Sequence, residues 1–525
     1  MTGTFGSLNI AKTGLQYQQI AIDVADNNIA NVNTDGYVRR RANAAEVGGP
    51  GQPVMWSSYN GDGEGVAAQG VQRLTDILLD KRVRSEHANL SYLQVQQTSL
   101  ERVESAVNEP SDDGVSAAIA NFAASWEDLV TSPDGTAARQ SVVADGQSLA
   151  AAINTQARSL DSEMDEQRAG AVQDVQEINQ DAQQLAQLNH AIFVAQANGS
   201  DVGDLQDQRD QVALDLANKA GAVTTVDQAT GRYNVTIDNG NGSSVALVTG
   251  DQYAGLVVQG INADGTSTST TGGIPATVSF TVTSQVGYDA KTDPATASPA
   301  TVSPGGDLGG VQALLNVTLP NYRGQLNALA KNLATVVNTQ LAQGFDQSGR
   351  AGGPFFDFGA DGLSDDYAGS IVVDGAVATD PSLIAAAATR SLDTDGQPSG
   401  NSDATNADRV SQALSGGPLV TGDPPTPVAG VTDASGAPVT AIDIGDQYQR
   451  MVSGLGSTAA GLNTQAANQQ LLTSQVDDEH EQSAGVSLDE ETINLMQAQR
   501  GYQAASRVLT VMDSVLDTLI NHTGA

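Results

Sequence analysis

Near the C-terminus, Leu495, Ala498, Tyr502, Ala505, Leu509, Met512, Leu516 and Leu519 follow one another at alternating steps of three and four. That spacing places them on one narrow stripe of an α-helix, the seam along which a second helix packs. Val508 and Val515 widen the stripe. A chain ending this way must find a helical partner for its last segment. The opposite end supplies one. Leu8, Ala11, Leu15, Ile22, Ala25 and Ile29 repeat in the same rhythm, with polar Gln18 inside the seam. A second set, Ile10, Tyr17 and Val24, lies roughly 200° around the same helix. A helix that is apolar on two sides needs neighbours on both. We therefore expect the end helices to stay largely unfolded in a lone chain and to fill both sides from other subunits.

Between the ends the hydrophobic period changes repeatedly. Residues 37–70 are Gly-rich and read as irregular, and 73–108 read as a long charged helix. NEPSDDG breaks it, VSAAIANFAASWEDLV resumes, and 136–197 read as one very long helix followed by LQDQRDQVALDLANKAG. From about residue 222 the period becomes two: YNVTID and SSVALV read as a hairpin across NGNG, and ATVSFTVTSQV reads as a strand. Residues 292–306 read as a linker, 307–343 as helix, 346–440 as loop and strand, and 446–475 as helix. The fold class is multidomain α+β. Residues 1–40 and 486–525 are expected to form a coiled-coil-like core domain from the terminal heptad helices. Residues 41–221, 307–345 and 441–485 are expected to form a bundle of long helices. Two insertions follow from the period change, a β-rich one at 222–306 and a second β/loop-rich one at 346–440.

Charge narrows the partners. With 61 acidic against 24 basic residues the net charge is −37. Phosphate binding needs a basic footprint, so nucleic acid is not expected as a partner, and neither is an anionic membrane. No cysteine is present, so disulfide and thiolate chemistry are absent. MTGTFGSLNIAKTG has neither the basic nor the apolar region of a cleavable signal. No run reaches the ~18 apolar residues of a membrane span. The chain is thus expected either in the cytoplasm or exported without a classical signal. Aromatic residues make up only 4%, which suits packed helices better than an aromatic-lined pocket.

The stretch DNNIANVNTDGYVRRR (26–41) raises the question of a metal. Asn31, Asn33, Asp35 and Gly36 match the front of a calcium loop, but the twelfth position, which should be Glu, is Ala42. A turn ending the first helix accounts for it better, since Asn and Gly supply positive φ and local side-chain bonds. His87, His190, His480 and His522 are too scattered for zinc. Asp204, Asp207 and Asp210 read as an acidic helix start. Arg39, Arg40 and Arg41 read as a solvated edge or a subunit contact. GDGEG (61–65) lacks the strand and helix of a phosphate loop. No nucleophile–base pattern stands out, so no catalytic residue, cofactor or metal is expected.

NNIANVNTDGY (27–37) resembles the N-terminal signature that rod, hook and hook-associated proteins share in the flagellar axial family. VSLDEETINLMQAQRGYQAASRVLTVMDSVLDTLIN (486–521) resembles the C-terminal signature. NEPSDDGVSAAIANFAASWEDLVTSPDGTAARQSVV (108–143), DLQDQRDQVALDLANKAG (204–221) and LPNYRGQLNALAKNLATVVNTQLAQGFDQSGRAGGPFF (319–356) are similar to the flagellar hook-associated protein 1 family. The resemblance does not extend to about 222–306 and 357–440. The absence of HExxH argues against the metalloprotease insert that some such proteins carry.

The resemblance implies nested domains, with the terminal helices in an inner tube, and a structural adaptor at the hook–filament junction. Implied partners are further copies of the chain in a ring or helical layer, the hook protein, the next hook-associated junction protein, and a cytoplasmic export chaperone on the C-terminal helix. It also implies an extracellular place on the flagellum, reached through the type III channel without signal cleavage. Assembly contacts would fall to Leu8, Leu15, Ile22 and Ile29, and to Leu495, Tyr502, Leu509, Met512, Leu516 and Leu519. Asn28, Asn31, Asn33, Gly36 and Tyr37 would fix how the first helix ends. A hook or distal-rod protein shares both termini. A secreted enzyme or adhesin on a flagellar-type scaffold is the alternative of another class.

Overall fold

The computed structural model describes residues 4–47, 65–288, 299–359, 365–390, 402–422 and 424–521, with residues 4, 5 and 519–521 described by backbone alone. GDGEG, apart from its final Gly65, lies outside the described residues, as do His522 and residues 292–298 of the stretch read as a linker. From the N-terminus come helix α1 (Thr4–Ala30), strands β1 (Arg40–Glu46) and β2 (Val66–Arg73), and helices α2 (Ile77–Val107), α3 (Val115–Thr131), α4 (Thr136–Ala197) and α5 (Gly203–Ala220). Strands β3 (Val223–Val226), β4 (Tyr233–Asp238), β5 (Ser244–Thr249) and β6 (Gln252–Gln259) follow. A two-residue pair, β7 (Thr270–Thr271) and β8 (Ile274–Pro275), precedes β9 (Ser279–Gly287) and β10 (Ala300–Val302). Helix α6 (Gly306–Ala313) runs through a widened π-helical turn into α7 (Leu319–Leu341). Short helices α8 (Tyr367–Ser370), α9 (Gly375–Thr379) and α10 (Thr405–Leu414) lead to the long α11 (Ile444–Ala484) and α12 (Leu488–Asn521).

The two ends pair. Asn28, near the end of α1, bonds Glu491, near the start of α12, and Gln18 lies over Gly501, so the helices run antiparallel. Gly501 has no side chain to displace, which is how the seam admits its one polar residue. Between Thr492 and Thr518 only Leu495, Ala498, Gly501, Tyr502, Ala505, Leu509, Met512 and Leu516 escape full exposure. The three-and-four rhythm therefore marks the face turned to α1.

The second stripe of α1 corrects the expectation that other subunits must cover it. β1 and β2 form an antiparallel hairpin along α1: Arg40 bonds Asn28 at one end, and Gly65 sits against Ile10 and Thr13 at the other. Tyr17 and Val24 are half-buried. A neighbour on each side is supplied within one chain, and both ends are formed helices rather than unfolded segments. The hairpin itself was hidden in residues read as irregular. Its strands are Ala-rich, and a bulge between Asn43 and Ala44, opposite Gly70 at φ 116°, breaks the alternation that announces a strand.

The bundle is organised on α4. Its buried residues Ile153, Ala157, Leu160, Met164, Ala171, Val175, Ile178, Ala182 and Leu185 keep the helical period over most of its length. One end packs against α3 and α7, the other carries α5 and the sheet. Four aromatics cluster here. Phe122 lies 5.5 Å from both Phe355 and Phe356 and 6.0 Å from Trp126, ring to ring. Gly146 makes room for Phe355: a Cβ there would fall 2.6 Å from its ring. α2 and α11 pair antiparallel, with Asp80 facing His480 and His87 facing Asp477.

The sheet has the order β10-β9-β6-β5-β4-β3, every neighbour antiparallel. β4 and β5 are the hairpin that the alternation across NGNG predicts. β10 adds an edge strand where a linker was read. Alternate residues such as Val235, Ile237, Leu256, Phe280 and Val282 are buried. Two asparagines of α4 clamp the sheet: Asn179 pairs with the backbone of Leu256, and Asn189 with that of Tyr233. Buried amides satisfied on both sides fix register as well as position. Among the described residues, no helix is long and apolar enough to cross a membrane, and no group of three or more His, Asp or Glu is placed to hold a metal.

Candidate functional site

The first helix ends on Asn28, which is fully buried. Its Nδ2 donates to the Arg40 carbonyl at 2.8 Å and to Glu491 Oε2 at 3.0 Å. Its Oδ1 accepts from the Arg40 N–H at 3.0 Å and the Tyr37 hydroxyl at 2.8 Å. Two donors and two acceptors are thus all used, the full capacity of an amide side chain. One residue ties α1, the start of β1 and the start of α12.

The turn between them is built locally. Asn31 donates to the Asn27 carbonyl and side chain and accepts from Thr34. Gly36 has φ 75°, a left-handed conformation that glycine adopts without penalty. Asn33 is exposed. The chain then closes onto the end of α11, where Arg39 N–H donates to the Ala484 carbonyl at 2.9 Å.

From this knot an ion-pair ladder runs into the bundle. Arg39 reaches Glu491 and Glu490, both at 2.7 Å. Arg40 reaches Asp204 and Asp207 of α5, and Arg73 reaches Asp207 at 2.6 Å and Asp210 at 2.7 Å. Asp210 accepts from the Tyr233 hydroxyl, and the Arg209 guanidinium stacks 3.6 Å from the Tyr233 ring centroid. The three aspartates are therefore the receiving rungs for hairpin arginines, not a plain acidic helix start. Arg39 and Arg40 are structural rather than a solvated edge; Arg41 alone is exposed.

The inner rungs are desolvated, the Arg40 and Asp207 side chains being 6 and 13% exposed, while Asp204 and Glu490 stay open to solvent. Burial lifts Asp207 above the usual carboxylate range even though Arg73 and Arg40 pull it back. Burial likewise raises Tyr37 and, with Asp210 beside it, pushes Tyr233 to about 12. Burial works against the Arg40 charge, but its bonds to Asp204 and Asp207 outweigh that and raise its pKa. The chemistry on offer is directional fastening of two helical units.

The seam residues are brought together as the spacing requires. Leu8, Leu15, Ile22 and Ile29 on α1 and Leu495, Tyr502, Leu509, Met512 and Leu516 on α12 are all half-buried. The side chain of Leu519 lies outside the described residues. Away from the seam α12 keeps a second apolar set in the open: Ile493, Met496, Val508, Val511 and Val515 are 50, 46, 44, 57 and 39% exposed.

Comparison with known proteins follows the same divisions. Residues 100–356 match the model of the flagellar hook-associated protein FlgK helical domain. Residues 8–37 match the flagella basal body rod protein model, and 480–522 the flagellar basal body rod FlgEFG protein C-terminal model. Flagellar hook-associated protein 1 of Bacillus subtilis is 27% identical, covering 100% of this chain and 99% of its own length. That of Escherichia coli is 26% identical, covering 98% and 99%. The solved flagellar hook junction protein FlgK from Burkholderia pseudomallei shares the fold, with a TM-score of 0.60 at 17% identity over 78% of this chain and 100% of its own. Rod-type matches at both ends, a helical-domain match between them and relatives aligned over the full length converge: along its whole length the chain is similar to the flagellar hook-associated protein 1 family.

Proposed function

We propose that the chain is a structural component of the bacterial flagellum, an adaptor at the hook–filament junction that assembles through its terminal helices. The observation that carries this reading is the state of α12. One face is satisfied by α1, the base is locked to the bundle by the Asn28 knot, and an apolar face is left uncovered. Uncovered apolar helix faces of this size are sites of association. The terminal helices, with the hairpin that braces them, act as the axial core unit, and the bundle and the two insertions lie outside it. Lateral neighbours are further copies of the chain; axial neighbours are the hook protein and the next junction protein. Before assembly the same face is the target of a cytoplasmic export chaperone, and export proceeds through the type III channel without cleavage.

The match over 100–356 favours the junction over the hook or distal rod, because the rod-type matches cover only the ends. Labelling the protein in isolated flagella tests the reading. A label at the hook–filament boundary supports it; a label along the hook or rod, or none on flagella, removes it.

A further inference from the structure

Copies of a chain with net charge −37 repel one another, and burying unpaired carboxylates between them is costly. Side-by-side contacts therefore need faces free of acid. Two exposed helix faces meet that condition. From Met451 to Val476, α11 carries no charged side chain. Its outward residues are Ser, Thr, Asn, Gln and Ala, together with Leu471 at 70% and Leu472 at 47% exposure.

The other face is on α4. Between Val172 and Ala191 the exposed residues are Gln173, Gln176, Gln180, Gln184 and Gln187 and no others. Two of the three carboxylates beside the stripe are paired, Lys219 lying 2.9 Å from Glu177 and 3.1 Å from Asp181, and the third, Asp174, is half-buried. At its end Gln180, Gln183, Gln184 and Gln187, all on α4, surround a shallow open groove of about 480 Å³ over Leu188 and Ala191. Such a groove takes an apolar side chain, and glutamine both donates to and accepts from the hydroxyls and amides of an α11-type surface.

We propose that the uncharged face of α11 in one copy docks on the glutamine stripe of α4 in the next, with Leu471 and Leu472 seated in the groove. The proposal rests on the junction reading and deepens it by naming the lateral surface. The two faces differ and are both exposed in a single chain, so the contact is heterologous, the kind that closes rings. Glutamine is chosen over charge here because a neutral stripe can be desolvated without stranding an ion.

The absence of cysteine makes the test clean. Flagella carrying the double variant Leu471→Cys/Gln184→Cys are mildly oxidised and run without reductant. The expected result is a ladder of disulfide-linked multimers, with neither single variant giving any. A double variant present at the junction yet monomeric overturns the proposal and leaves the junction reading standing. Dimers from a single variant also overturn it, since they mean a two-fold contact. If wild-type protein is missing from flagella, both readings fall. Leu471→Glu/Gln184→Glu, both at exposed positions, is expected to leave the melting temperature unchanged while lateral assembly is lost; unimpaired assembly contradicts the proposal.

Discussion

Replacing Asn28 with alanine isolates the knot. The wild-type side chain makes four hydrogen bonds in a fully buried position. Its loss leaves the Arg40 N–H, the Arg40 carbonyl and the Tyr37 hydroxyl without that partner, while Glu491 keeps Arg39. A buried polar group left unsatisfied costs about 1–3 kcal/mol. Tyr37 is only half-buried and can turn to solvent, so about 3–5 kcal/mol is expected for the set. Hydrogen exchange reads this directly, because the Arg40 amide donates to the missing oxygen. Its protection should fall by roughly a hundredfold or more, since each 1.4 kcal/mol is tenfold. Asn33→Ala, in the same signature but exposed, should change stability by less than about 0.5 kcal/mol. Asn28→Asp keeps the acceptor and sets a second carboxylate against Glu491, and should be at least as damaging as alanine. A change of less than about tenfold at the Arg40 amide in Asn28→Ala would refute the knot as the device that joins the ends.

Three further outcomes follow from the same geometry. Arg40→Ala releases Asp204 and leaves Asp207 to Arg73 alone, so protease should cut between the hairpin and the bundle faster than in wild type while the bundle itself keeps its melting temperature; equal cutting rates would count against the ladder. Leu509→Asp places a charge in the seam, and the protein should remain a soluble folded bundle yet fail to enter the junction; normal filament attachment would contradict that. The bond from Asp80 raises the pKa of His480 against the opposing effect of burial, with Asp477 and Asp210 also facing it. A histidine raised in the folded state contributes stability that is fully present below its ordinary value near 6.5 and is lost as pH rises through the raised one. Melting temperature should therefore fall from about pH 6 to about pH 8 more steeply in wild type than in His480→Gln, and parallel curves would show that the α2–α11 clasp does not depend on that charge.

Much of the fold is legible in the chain because helical periodicity is local. The steps through Leu495 to Leu516 mark the buried face of α12 residue by residue, and the change of period near residue 222 announces the sheet. The ladder is not legible. Arg40 and Asp204 are 164 positions apart, and an i, i+3, i+6 row of aspartates looks the same whether its partners are water or arginines. A useful hint was present in the pairing of RRR after one signature with a triple of aspartates elsewhere, but composition cannot say which cation meets which anion. The hairpin escaped for another reason: alanine strands with a glycine bulge carry no alternation.

Periodicity and turn chemistry by themselves determined that both extremities are helices with a seam and that the first one stops at a tight Asn–Gly turn. Tertiary structure alone decided that the hairpin, rather than a foreign subunit, braces the second stripe of α1, and that Asn28 and the arginines weld the ends to the bundle. The physical reason is range. A helix's apolar face is set by neighbours three and four residues away, whereas a buried amide or guanidinium takes its partners from wherever packing brings a matching group.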